Sequence, residues 1–236
     1  MIGLALVAWI AAAPAAGVDV GPVGRALLAH MAQGLSDART GEWVTYRLDP
    51  GDGRVTFWRL AVVGEEKDRL GRDAYWLEME WGTHAALAAP LAQLRLLVAK
   101  EAGLSRGGIT RMFWAQGADR AAEVDEASLA ATARPAAPRE RGTDDASALV
   151  RTGEQSMLMT AAGSVAAVPV EAFYRQTAVK RLWISRQVPV LHLAKLELPA
   201  VHHTLELQGY GVQAKPRMIL PDPKETKIHL EAGGAP

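Results

Sequence analysis

The sequence contains no cysteine. That absence excludes disulfides, thiolate metal sites, a cysteine nucleophile and an acylated lipoprotein cysteine together. It also lacks an excess of charge of either sign, with 26 Lys plus Arg against 26 Asp plus Glu. No global basic field therefore draws in a polyphosphate, and nucleic acid is not expected as a partner. The glycines form neither G-x-G-x-x-G nor P-loop spacing, so a nucleotide cofactor has no support, and no other cofactor is expected. A G-x-S-x-G elbow is missing too: Ala162-Gly163-Ser164-Val165-Ala166 lacks the second glycine, and Ser185 has no such frame.

Long apolar runs are absent after the first sixteen residues. Those residues, MIGLALVAWIAAAPAA, have the length and composition of a signal peptide, and Ala13-Pro14-Ala15 fits a small-residue cleavage pattern. Export to the periplasm with cleavage near Ala15 is the expectation. The charged segment that normally opens such a peptide is missing, the first Lys or Arg being Arg25. The competing reading is a buried N-terminal helix, which Pro14 and Gly17 interrupt early. The run falls short of the ~20 residues that a bilayer span requires.

What is present is a chain of 236 residues, 49% hydrophobic, long enough for one domain with a substantial core. From Pro22 to Ala38, Val23, Leu27, Met31 and Leu35 recur at four-residue steps, predicting an amphipathic helix. Three strand-like segments follow between Gly41 and Gly82: GEWVTYRLD, GRVTFWRLAVVG and DAYWLEMEWG. They hold four of the seven tryptophans and read as an antiparallel meander. In the second, Phe57, Ala61 and Val63 oppose Trp58, Leu60 and Val62, so both faces are apolar and both need cover. In the third, Tyr75, Leu77, Met79 and Trp81 define a packed face, with Trp76, Glu78 and Glu80 on a wet one. A short helix is predicted over Leu91 to Leu104 from Leu91, Leu94, Leu97 and Val98, and a strand over Ile109 to Ala115. Residues 116–150 lose their aromatics and read as a long solvated loop. Strands are expected again over 155–160, 165–175, 179–185 and 202–208. Between the last two, VPVLHLAKLELPA fits either a bent strand or a short helix. Beyond Gly211, Pro216, Pro221 and Pro223 predict a flexible tail over 213–236.

GEWVTYRL after the leading helix, and the late segment RLWISRQVPVLHLAKLEL followed by LELQGYG, resemble the LolA-like family of periplasmic lipid and lipoprotein carriers. The likeness extends over about residues 20–212 and includes a W-x-S-x-x-V-P pattern at 183–189. It implies an α+β fold: a curved antiparallel sheet forming an incomplete β-barrel, with an N-terminal helix and short helices covering the concave face. It also implies a single domain over 17–212 and an apolar cavity for acyl chains. No functional residue carries over by position.

Candidate chemistry is sparse. Glu78 and Glu80 share a strand face and could serve as an acid/base or cation pair, but they read as solvated acids. His202 and His203, with His192 and His229, could form an imidazole site, although adjacent strand residues point apart. No metal site and no catalytic residue is assigned, and enzymatic activity is not expected. The aromatic set is the stronger candidate: Trp43, Tyr46, Phe57, Trp58, Trp76, Trp114 and Trp183 as ligand-binding residues, with Tyr75 and Trp81 beside them. Burying an acyl chain is worth about 0.8 kcal/mol per methylene. The expected function is an exported carrier or binding protein for a lipid, lipoprotein acyl chain or other hydrophobic molecule, making transient contact with a membrane surface. The alternative is a non-catalytic envelope scaffold or partner-binding protein whose half-barrel is filled by its own side chains.

Overall fold

Period-two patterning governs nearly all of the fold. The computed structural model describes residues 37–101, 108–132, 149–222 and 227–228. The proposed signal peptide lies outside these residues, as does the predicted leading helix apart from Asp37 and Ala38, which are not helical.

The predicted meander forms as three antiparallel strands, β1 (Trp43–Asp49), β2 (Thr56–Lys67) and β3 (Asp73–Gly82). Turn chemistry sets their spacing. Between β2 and β3, the Asp68 carboxylate accepts the backbone N–H groups of Leu70 and Arg72, each at 2.9 Å, and pairs with the Arg72 guanidinium at 2.7 Å. Burial works against that carboxylate, but these donors outweigh it and hold its carboxyl below the usual range.

The chain continues through β4 (Ala92–Ala99), β5 (Ile109–Gln116), β6 (Ala122–Glu123) and a short helix, α1 (Glu126–Thr132), whose first turn is capped by Asp125 accepting the Ser128 N–H at 2.7 Å. A second run of strands then follows: β7 (Leu149–Thr152), β8 (Ser156–Thr160), β9 (Gly163–Tyr174), β10 (Thr177–Ile184), β11 (Leu193–Leu198) and, after a 3-10 turn, β12 (His203–Gly211).

These strands make one open antiparallel sheet in the order β6-β5-β4-β3-β2-β1-β12-β11-β10-β9-β7, with β8 paired to the first half of β9. Each half is a meander, and β1 joins them by pairing with β12 from Trp43↔Gly211 to Asp49↔Thr204. The sheet does not close. No helix among the described residues is long and apolar enough to cross a membrane.

Four expectations are corrected. The helix predicted over Leu91 to Leu104 is instead β4, buried along its whole length. Its apolar residues satisfy a helical spacing by coincidence, since Ala92, Leu94, Leu96 and Val98 also alternate on one face, with Leu97 on the other. A strand buried on both faces reads as a continuous apolar run. The long loop predicted over 116–150 contains β6 and α1, and Ala121 and Val124 within it are buried. The tail is ordered at least through 222, because residues 212–222 lie across the sheet as a strap and bury Met218. The supposedly wet face of β3 is dry. VPVLHLAKLELPA supplies a strand, β11.

Two apolar clusters flank the sheet. The inner one joins the two halves, with Tyr46, Leu60, Leu77 and Leu94 meeting Val165, Val190, Leu196 and Leu205. Among the described residues its cover comes from the β8–β9 hairpin and the loop carrying Val188, Val190 and Leu191, with Leu129 of α1 packed against it; the leading helix expected over this face lies outside the described residues. The outer cluster holds Ala61, Val63, Trp76, Leu97 and Phe113 against Met218, with Trp43 and Ala214 at its margin.

Candidate functional site

The outer face of β2–β4 carries a buried polar network that the strap completes. Glu78 is 0% and Glu80 1% exposed. Cross-strand register places Arg59 and Gln93 on either side of Glu80, and Ala61 and Arg95 on either side of Glu78. Glu80 accepts from Arg59 Nη1 at 2.8 Å, Gln93 Nε2 at 3.1 Å and Arg217 Nη1 at 3.1 Å. Glu78 accepts the backbone N–H groups of Arg217 at 2.8 Å and Met218 at 3.2 Å. The second Arg217 nitrogen donates to the Leu87 carbonyl at 2.7 Å. Burial pushes the Glu78 carboxyl up, and the Glu80 charge adds to this, while the two N–H donors and Arg95 oppose it.

Tryptophan and arginine roof this network. The Arg95 guanidinium lies 4.9 Å from the Trp76 ring and that of Arg59 5.9 Å from the Trp43 ring. The strap is tied down by Ala214 N–H to the Gly41 carbonyl at 2.7 Å, while Gly41 N–H donates to Val62 at 2.7 Å. Gly41 has φ +94°, and a Cβ there would stand 2.5 Å from the Val212 carbonyl oxygen, so only glycine fits. At Gly211 a Cβ would stand 2.7 Å from Trp43 Nε1, so its absence makes room for the indole beside β12.

The seven proposed ligand-binding aromatics are not brought together. Tyr46 and Trp58 lie in the inner cluster, with Trp114 packed against it. Trp58 meets Trp81 edge to face, with ring centres 5.7 Å apart, and Trp81 meets Trp114 at 6.3 Å. Trp43 and Trp76 belong to the outer cluster. Phe57, opposite Arg47 and Gly82, is half-buried on the outer side. Trp183 packs at the margin of the inner cluster, with Lys195 Nζ 5.3 Å from its ring. The Tyr46 hydroxyl donates to the Leu193 carbonyl at 2.8 Å, and burial pushes its phenol well above its ordinary value. Burial likewise pushes the Tyr75 phenol up to about 12.

Sequence reasoning singled out Glu78 and Glu80 but placed them in water. It missed Arg59, Gln93 and Arg217, which hold them. An Arg opposite an acid in adjacent apolar strands was the available signal for Arg59; nothing local marks Arg217, whose partners lie 130 to 139 residues away. Among the described residues the candidate histidines form no metal-ligating group: His202 is exposed, its backbone at φ +55° after the 3-10 turn, and His229 lies outside the described residues. Among the described residues no group of three His, Cys, Asp or Glu side chains could hold a metal. Ser185 Oγ accepts the Gln187 N–H at 3.3 Å.

No family profile matches the sequence, and no curated protein matches it. Among solved structures, MucB in complex with the periplasmic part of MucA aligns at 13% identity and a TM-score of 0.41, covering 81% of this chain and 56% of that one. The Pseudomonas aeruginosa MucA/MucB complex aligns at 12% identity and a TM-score of 0.37, covering 81% and 57%. A Bacteroides fragilis protein described as exported and of YmcC-like fold aligns at 10% identity and a TM-score of 0.32, covering 74% and 97%. The chain thus spans little more than half the length of the MucB structures it matches. Nothing about its activity follows from likenesses at this level.

Proposed function

We propose that this chain is an exported, non-catalytic partner-binding protein of the cell envelope, its half-barrel filled by its own side chains. The observation that carries this reading is the closure of the inner face. Tyr46, Leu60, Leu77, Leu94, Leu96 and Met112 are each less than 2% exposed. A side chain bordering a void that admits even water retains accessible surface there, so no open acyl-sized space lies against these residues. The two carboxylates that could have served chemistry are occupied: Glu78 by the strap backbone, Glu80 by Arg59, Gln93 and Arg217. Export rests on the signal-peptide character of residues 1–16.

The carrier reading keeps one specific support. At the β9–β10 end, Val168, Val170, Leu182 and Ile184 are only half-buried, and a hydrophobic guest would have to lie there. Titration with a fluorescent fatty acid separates the two readings. The self-filled reading expects no saturable binding and no quenching of tryptophan fluorescence. Stoichiometric binding reduced by Leu182→Gln would establish the carrier instead.

A further inference from the structure

Among the described residues, one edge of the sheet is unpaired. β7 pairs only with β9, from Leu149↔Phe173 to Thr152↔Val170, and among the described residues nothing hydrogen-bonds to its other side. All four of its residues are exposed, Leu149 at 52% and Val150 at 60%. Edge strands are ordinarily blunted by charged side chains, lysine above all, by proline, by a bulge or by a covering loop. In Leu-Val-Arg-Thr only Arg151 is of that kind, and the pairing with β9 runs without a bulge.

The neighbouring hairpin adds a second observation. The turn between β9 and β10 consists of Arg175 at φ +46° and Gln176 at φ +68°. Two consecutive positive φ angles define a turn that favours Asn-Gly, and side-chain-bearing residues are strained at both positions. Such strain is retained where the displayed side chain is useful. Here it sets Arg175 beside Arg151: together with Leu149, Phe173 and Gln176 they line one open groove of about 520 Å³. The Arg151 guanidinium lies 4.8 Å from the Phe173 ring and that of Arg175 5.2 Å from the Tyr174 ring. Neither has a carboxylate within ion-pair distance among the described residues. Glu171, opposite Arg151 in the ladder, is engaged by Arg181 at 2.8 Å.

We infer that an acidic, extended segment of a partner protein adds as a strand to the free edge of β7, with its carboxylates on Arg151 and Arg175. The edge supplies backbone hydrogen bonds, the groove side-chain selectivity, and the unpaired cations the sign of the partner's charge. A second copy of this chain is disfavoured as occupant, because edge-to-edge pairing would bring the arginines of both copies together. The inference rests on the partner-binding reading and gives it a site and a partner chemistry.

The test uses the full chain and a labelled peptide of about eight residues alternating valine and glutamate, followed by fluorescence anisotropy. Saturable binding is expected, weakening as salt rises and falling by roughly tenfold or more in the R151Q/R175Q variant. A valine-lysine peptide should not bind. The same acidic peptide N-methylated at alternate backbone nitrogens should lose binding with its charge unchanged. The variant R175N/Q176G places the preferred residues in the turn, so it should melt at a higher temperature yet bind more weakly, which separates folding from recognition. Equal binding of the N-methylated peptide or of R151Q/R175Q would overturn the inference. So would dimerisation through this edge, or arginine-dependent binding to phosphatidylglycerol vesicles without peptide binding. A fatty acid bound at the β9–β10 end would instead contradict the partner-binding reading, and the peptide result would stand apart from it.

Discussion

Glu78 and Arg59 show how much at the residue scale depends on partners remote in sequence. The carboxyl of Glu78 has a folded-state pKa raised above its unfolded value, so the folded protein holds that proton more tightly. Its contribution to stability is therefore fully present below the ordinary glutamate range, near pH 4, and is lost as pH rises through the raised value. The variant Glu78→Gln should lack this loss, so the gap between wild-type and variant melting temperatures should shift in the variant's favour on going from acid to neutral pH. A gap independent of pH would refute the assignment. Asp68 acts in the opposite sense: its lowered pKa gives stability that is present above the ordinary aspartate range and lost as pH falls through the lowered value. Arg59→Ala removes the least exposed of the cations paired with Glu80, leaving a fully buried carboxylate with Arg217 and Gln93 only. The expected cost is about 3 kcal/mol in denaturant unfolding, several times that of Arg54→Ala, whose pair with Asp52 is exposed.

At the scale of elements, the strap is the part of the fold that local sequence conceals. Its prolines and polar residues read as a tail, and its fixed conformation comes from the sheet beneath it: Gly41, Glu78 and Glu80 supply its acceptors, and Trp76 and Phe113 its floor. Met218→Ala should cost about 2 kcal/mol through lost burial. Truncation after Gly211 should expose the outer cluster, seen as dye binding and as faster amide exchange at Val62 and Ala61; unchanged exchange there would mean that the strap does not cover this face. The meander β1–β3 was readable because its alternation is regular and its turns carry Gly and Asp. The character of β4 was not, because burial on both faces removes the alternation that separates strand from helix. The wet face assigned to β3 failed for a related reason: two acids on a strand signal water unless their cations can be seen, and Arg217 lies far along the chain.

For the whole molecule, the first and last strands of the described fold pair at the centre of the sheet; of its two edges, β6 is bonded on its outer side by Ile228, and β7 is unpaired among the described residues. The open antiparallel sheet was foreseeable from the strand pattern and turn spacing, whereas the filling of its inner face was not. Seven aromatics on strands cannot reveal whether they share a cavity, and register distributes them between two faces and their margins, Tyr46 and Trp58 on one and Trp43 and Trp76 on the other. Among the described residues, the inner face is covered by the β8–β9 hairpin, the Val188–Leu191 loop and Leu129 of α1, elements whose position follows from long-range packing rather than from local pattern. The central claim is that this interior belongs to the protein itself. Native mass spectrometry of the chain purified from an exporting host without detergent tests it most directly. The account predicts a single species at the mass of the processed polypeptide; a species heavier by one lipid or fatty acid, lost on collisional activation, would contradict it.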